Sequence, residues 1–167
     1  MPTMVDVSDK IITKRTAHAR STIEFPPHVL KELLNVENSD GGIKGEEIVS
    51  KKGPVFATSI VAGTMAVKNT WNLIPFCHPI AIESCKINIK IMDSTNVQVD
   101  CIVSLHHKTG VEMEALTGAS VASLCIYDMC KALSKDIIIK ETKLISKTGG
   151  KSSQIHSDSS ATTNKNI

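Results

Sequence analysis

Aromatic side chains are scarce in this 167-residue sequence, at 3% of the total. Its core must therefore be built from Ile, Val, Leu, Ala and Met. The same scarcity argues against a single-strand nucleic-acid module, which needs aromatic platforms for base stacking. Net charge is also nearly absent: +2 is too little for non-specific DNA binding, so any basic character that matters is local. The five cysteines (Cys77, Cys85, Cys101, Cys125, Cys130) form no CxxC pair and no regular spacing, which speaks against a disulfide framework. No apolar run approaches the roughly 18 residues of a membrane span. The N-terminus is polar and charged within its first ten residues, unlike a secretory signal. A cytoplasmic location, or an organelle in a eukaryotic source, is the expectation.

What is present reads as one globular domain with 41% hydrophobic and 22% charged residues. "HARSTIEF" (18–25) alternates partially and predicts a strand, and "PPHVLKELLNV" (26–36) predicts a short helix opening on prolines. Residues 37–47 read as a loop. A helix is predicted from Gly53 to Asn69, with Phe56, Ile60, Thr64 and Val67 on one stripe, ending at "TWNLIPFCHP". Two alternating strands follow, 82–92 and 96–105, joined by a turn at "MDSTN". A long helix is predicted over 113–134 and a last strand over 136–146. The domain is expected to run over 1–151, with 152–167 a disordered polar tail. Without the first short helix, the order is strand, helix, two strands, helix, strand. That is the α+β, ferredoxin-like split arrangement, an antiparallel sheet with helices on one face. Its open face needs a cover, so an oligomer is expected.

The candidate chemistry falls into a few stretches. "NLIPFCHPI" sets Cys77 beside His78 between prolines. A zinc site would need two more ligands, and the remaining histidines form no HxxH or HExxH pattern. Nor do neighbouring side chains in an extended loop face each other as a nucleophile and its base would. The plainer reading is a loop pinned by Pro75 and Pro79, with Cys77 buried and His78 exposed. His78 stays a candidate because rigid loops carry binding groups. In "KTGVEMEALTG", Glu112 and Glu114 sit at the start of the long helix, where carboxylates complement the dipole. With Lys108 they could also form an acid–base cluster. In "IYDMCKALSKD", Asp128 and Lys131 are spaced to pair on one helix face, as an exposed ion pair or a half-buried functional one. Glu114 and Asp128 are fourteen residues apart, about 21 Å along a straight helix. One small pocket of one chain cannot hold both.

Lys52 precedes Gly53 where a helix is predicted to start, a place the dipole makes unfavourable for a cation unless an anion arrives. "SKTGGKSS" (146–153) ends like a P-loop, but Ile145 stands where its first glycine is required. A flexible phosphate-binding loop or a fraying basic terminus remain as readings.

Together, "MVDVSDK", "KGPVFATSIVAG", "TWNLIPFCHPI", "KTGVEMEALTGASVASLCIYDMCKA" and "SKTGGKS" resemble the molybdenum cofactor biosynthesis protein C (MoaC) family, the cyclic pyranopterin monophosphate synthases. The resemblance spans about residues 4–152 in order. It departs at Pro54, beside Lys52, where the family usually carries an acidic residue after the glycine. It implies a hexamer of three dimers with sites at dimer interfaces. The substrate would be 3′,8-cyclo-7,8-dihydro-GTP, made upstream by a radical enzyme, and the activity that of a pyrophosphate-releasing lyase. It implies Asp128 as the catalytic carboxylate, with Lys131 and Lys52 as acid–base or electrostatic partners. The Phe76-Cys77-His78 loop, Met113 and Glu114 would contact base and sugar, with Glu112 nearby; Arg15, Lys68, Lys147 and Lys151 would anchor the triphosphate. His78 would touch ligand, and Cys77 would be its neighbour rather than a nucleophile. No metal, no other cofactor, no nucleic acid and no membrane is implied. The rival from another class is a non-catalytic nucleotide-binding module on the same fold. Against it stands the presence together of every polar residue that catalysis would need.

Overall fold

The computed structural model describes residues 1–36 and 47–155; the predicted loop at 37–47 lies almost wholly outside them. Strand β1 (Thr13–Glu24) leads into helix α1 (Pro27–Val36), which opens on a proline whose missing N–H costs nothing in the first turn. A small hairpin follows, β2 (Val49–Ser50) and β3 (Gly53–Pro54), then α2 (Val55–Lys68) and the short α3 (Thr70–Leu73). Strands β4 (Ser84–Ile91) and β5 (Asn96–His107), helix α4 (Glu112–Cys130), β6 (Ile138–Thr148) and β7 (Gln154–Ile155) complete the chain.

The main sheet runs β4-β5-β1-β6-β7, with every pair antiparallel. Helix α2 connects β1 to β4 and α4 connects β5 to β6, which makes this the ferredoxin-like arrangement. Period-two alternation decides which side chains meet the helices. On β5, Val97, Val99, Cys101, Val103 and Leu105 are all buried; on β1, Ala17, Ala19, Ser21 and Ile23 are. Helix α4 closes over them with Ala115, Ala119, Ala122 and Ile126.

Helices α2 and α4 run in opposite directions. Val67 in the last turn of α2 borders Gly118 near the start of α4, while Lys52, just ahead of α2, reaches Asp128 near the end of α4. The α2 stripe is broader than the sequence predicts: Val55, Phe56, Ser59, Gly63, Ala66 and Val67 are buried, and Ile60 only partly so. β1 begins at Thr13, five residues before the predicted strand, and β6 is shifted two residues later than predicted. Of the expected tail, Gln154 and Ile155 pair with Lys147 and Ser146.

The opposite sheet face is polar. Asp100 accepts hydrogen bonds from Arg20 Nε (2.8 Å) and Gln98 Nε2 (2.7 Å) and lies 2.6 Å from His18 Nε2. Burial alone would raise its carboxyl, but these hydrogen bonds outweigh it and hold the group below the usual range. Among the described residues, no helix is long and apolar enough to cross a membrane.

Candidate active site

Asp128 occupies the last turn of α4, where the helix dipole disfavours a carboxylate. Two ammonium groups offset this. Lys131 Nζ lies 2.8 Å from Oδ1 and Lys52 Nζ lies 2.6 Å from Oδ2; Lys52 also donates to the Asp128 carbonyl at 3.1 Å. Hydrogen bonds from Lys131 and then Lys52 hold the Asp128 carboxyl down to about 2. The same contact raises the Lys131 ammonium above its ordinary value.

Of the two readings of the Asp128–Lys131 pair, the exposed one is found: the Asp128 side chain is 52% exposed, while its neighbour Met129 is buried. One expectation is corrected: Lys52 stands in the turn of the β2–β3 hairpin rather than on the helix start, with the protein's own Asp128 as its anion. Pro54, the departure from the family pattern, leaves that contact in place.

The other end of α4 gathers a second group. Glu112 opens the helix and pairs with Lys147 of β6 at 3.2 Å. Glu114 is only 4% exposed, and burial pushes its carboxyl above the ordinary range. Met113 between them is exposed. The loop after α3 comes to this end. The Cys77 thiol is pushed up by burial and then by the charge of Glu114, which disfavours the thiolate a nucleophile would need. Cys77 and His78 are both half-buried, correcting the expected contrast between them, and Phe76 is exposed. Lys108 does not join the carboxylates; its Nζ donates to the Ser8 carbonyl at 2.7 Å.

A cavity of about 810 Å³ opens beside Glu112. Arg15, Lys147 and Lys151 line it, as does Lys10 of the N-terminal arm, with Asp6 and Asp9 on the same wall. Arg15 donates to the Lys108 carbonyl at 3.2 Å, while its buried Nε has no partner among the described residues. Gly150 packs against the Arg15 guanidinium so closely that a side chain there would collide with it. The arm is tied down by the Lys108–Ser8 bond. Asp6 accepts from the Ser8 hydroxyl and amide, which lower its carboxyl, and the charges of Lys108 and His78 lower it further. Sequence reasoning missed Lys10 and Asp6. Both lie within the "MVDVSDK" motif, which was the available signal.

The structure thus sorts the expected residues into two places. Asp128, Lys131 and Lys52 converge at one end of α4. Arg15, Glu112, Lys147 and Lys151 share the cavity at the other, with Met113, Glu114, Cys77 and His78 around the helix start. Lys68, exposed in the last turn of α2, lines neither. Among the described residues, no three His, Cys, Asp or Glu side chains are grouped to hold a metal ion. The carboxylate between two ammonium groups can pass protons, and the cavity offers Arg15, Lys10, Lys147 and Lys151 to an anionic group, with Asp6, Asp9 and Glu112 partly offsetting their charge.

The sequence matches the MoaC family over residues 4–150. Molybdenum cofactor biosynthesis protein 1 of Dictyostelium discoideum is 76% identical over 159 residues, which cover 92% of this chain but 25% of that protein. This chain therefore spans about a quarter of that relative's length. Cyclic pyranopterin monophosphate synthase of Xanthomonas axonopodis pv. citri is 50% identical over 151 residues, covering 90% of this chain and 86% of the relative. A molybdenum cofactor biosynthesis bifunctional protein of Synechocystis is 51% identical over 154 residues, covering 90% of this chain and 42% of that protein. This chain belongs to the MoaC family.

Proposed function

We propose that this chain is a cyclic pyranopterin monophosphate synthase. It converts 3′,8-cyclo-7,8-dihydro-GTP to cyclic pyranopterin monophosphate with release of pyrophosphate. The observation that carries the reading is Asp128 held between Lys52 and Lys131 in a chain matched to the family almost end to end. Opening and reclosing a purine ring requires protons to move on and off nitrogen and carbon. Asp128 accepts and returns them, while Lys52 and Lys131 supply protons and balance charge. Closing the cyclic phosphate expels pyrophosphate, whose growing charge falls to Arg15, Lys147 and Lys151 in the cavity. Phe76, Cys77, His78, Met113 and Glu114 frame the base and sugar, with Glu112 holding Lys147 in place. Lys68, in the last turn of α2, is a further candidate anchor for the triphosphate.

The two ends of one α4 are too far apart for a single nucleotide, so each site combines the Asp128 end of one subunit with the Glu114 end of another. A hexamer built as a trimer of dimers provides this, working in an aqueous compartment beside the radical enzyme that supplies its substrate. The test supplies freshly prepared cyclised dihydro-GTP, measures pyrophosphate, and looks for a fluorescent pterin after oxidation. Both signals are expected from the parent protein and neither from Asp128→Asn. Mixed oligomers of Asp128→Asn and Glu114→Gln subunits should regain part of the activity, because some interfaces then carry both intact ends. Nucleotide binding with neither signal would favour the non-catalytic module instead.

A further inference from the structure

Helix α2 starts without a cap of its own. Pro54 stands at the N-cap with no side-chain hydrogen bond, and a proline ring offers no acceptor to the orphan amides of a first turn. Those amides are nevertheless bonded, and all to the two residues ahead of β2. Val55 N donates to the Ile48 carbonyl at 2.9 Å, Phe56 N to Glu47 Oε1 at 2.6 Å, and Ala57 N to Glu47 Oε2 at 2.8 Å. Glu47 Oε1 also accepts Ile48 N at 2.9 Å. One carboxylate therefore ties the strand entering the β2–β3 hairpin to the helix leaving it, where the helix dipole also favours its charge.

The hairpin between these two ties carries Lys52. Its register is Val49 with Pro54 and Ser50 with Gly53, leaving Lys51 and Lys52 as the turn. Gly53 takes φ +111°, a value that L side chains rarely adopt, and Lys52 N is held by Ser50 Oγ at 3.1 Å. A pairing of two residues per strand is too short to hold its shape alone. What fixes where Lys52 emerges is the anchorage at the base.

We infer that Glu47 is the positioning residue for Lys52: by clamping both ends of the hairpin, its carboxylate aims the lysine at Asp128. The role rests on the synthase reading above, since it matters for turnover only if Lys52 and Asp128 do the chemistry. Glu47 touches the first turn of α2 and the start of β2, and acts on Lys52 only through them.

The experiment compares Glu47→Ala, Glu47→Gln and the double variant Glu47→Ala/Pro54→Asp, by steady-state kinetics and by trypsin cleavage after Lys51 and Lys52. Pro54 has φ −67° and ψ 121°, already the extended conformation of an N-cap, so an aspartate there can accept the Phe56 and Ala57 amides. Glu47→Ala is expected to lower kcat roughly five- to tenfold and to speed cleavage of the hairpin. KM should stay within about twofold, because the substrate-binding cavity at the far end of α4 is untouched. Pro54→Asp should restore most of both losses, and Glu47→Gln should fall between. Faster cleavage with kcat unchanged would overturn the positioning role. So would trypsin resistance regained in the double variant without recovery of kcat. An inactive parent protein would defeat the synthase reading separately, and the cleavage rates would still decide whether Glu47 clamps the hairpin.

Discussion

Lys52 Nζ meets both the carboxylate and the main-chain carbonyl of Asp128, at 2.6 and 3.1 Å, bridging the hairpin ahead of α2 to the end of α4. A side chain that reads backbone and carboxylate together is held in one place even at an exposed site. Replacing the carboxylate by an amide keeps the shape and the carbonyl contact and removes the charge. Asp128→Asn should therefore fold and assemble as the parent does, while turnover falls by at least about a hundredfold. Circular dichroism and size-exclusion chromatography check the first part, and pyrophosphate release the second.

The same relationship predicts how Asp128 titrates. Its carboxyl sits at about 2 through Lys131 and Lys52, so Lys131→Met and Lys52→Met should each move the midpoint up toward the ordinary 3.8. The lowered value means that this contact stabilises the fold fully above 3.8 and that the contribution is lost as pH falls through about 2. Because the three side chains are about half exposed, salt should weaken the effect. Carboxyl 13C shifts followed between pH 1 and 6 at two ionic strengths would measure it; a midpoint unmoved by either substitution would contradict the geometry.

Much of this arrangement is legible in the sequence because it depends on local period. The alternation Val97, Val99, Cys101, Val103, Leu105 is the buried face of β5 residue for residue. The first five residues of β1, 13–17, are not legible, since the positions that share the inward face there are Thr13, Arg15 and Ala17, which show no hydrophobic alternation. Helical rise alone separates Glu114 from Asp128. By contrast, the exposure of Asp128 turns on a fraction of a helical turn beside buried Met129, finer than the pattern resolves. The place of Lys10 depends on Lys108 reaching a carbonyl a hundred residues earlier in the chain. Nothing local in "MVDVSDK" encodes that.

Glu114 provides a prediction of opposite sign to Asp128. Burial raises its carboxyl above the ordinary 4.5, with Glu112's charge adding to the rise and the Glu114 backbone amide opposing it. The folded protein then binds a proton more tightly than the unfolded chain, and stability falls as pH rises from 4.5 through the folded value. Glu114→Gln removes that penalty. It should unfold at higher urea than the parent at pH 8, with the gain shrinking as pH approaches 4.5, while its catalytic rate drops. A gain independent of pH would mean that the carboxylate is not the source.

Gly63 tests how closely the two helices lie. A Cβ there would fall 2.6 Å from Ile87 Cδ1, 2.8 Å from the Gly118 carbonyl oxygen and 3.1 Å from Ala122 Cβ. The isoleucine methyl can rotate away. The Gly118 carbonyl cannot, because it belongs to the backbone of α4 where that helix lies over buried Val67 and Cys101. Alanine would gain about 1 kcal/mol of helix propensity over glycine. Forcing the helices apart costs more, typically about 1–3 kcal/mol for an overpacked core, since atoms across the interface lose contact as well as those at the clash. Gly63→Ala should therefore lower the urea midpoint at an unchanged slope. It should also lower kcat, because a wider helix pair carries Lys52 away from Asp128. A midpoint equal to or above the parent's would show that propensity outweighs the contact and that the helix pair has room to spare.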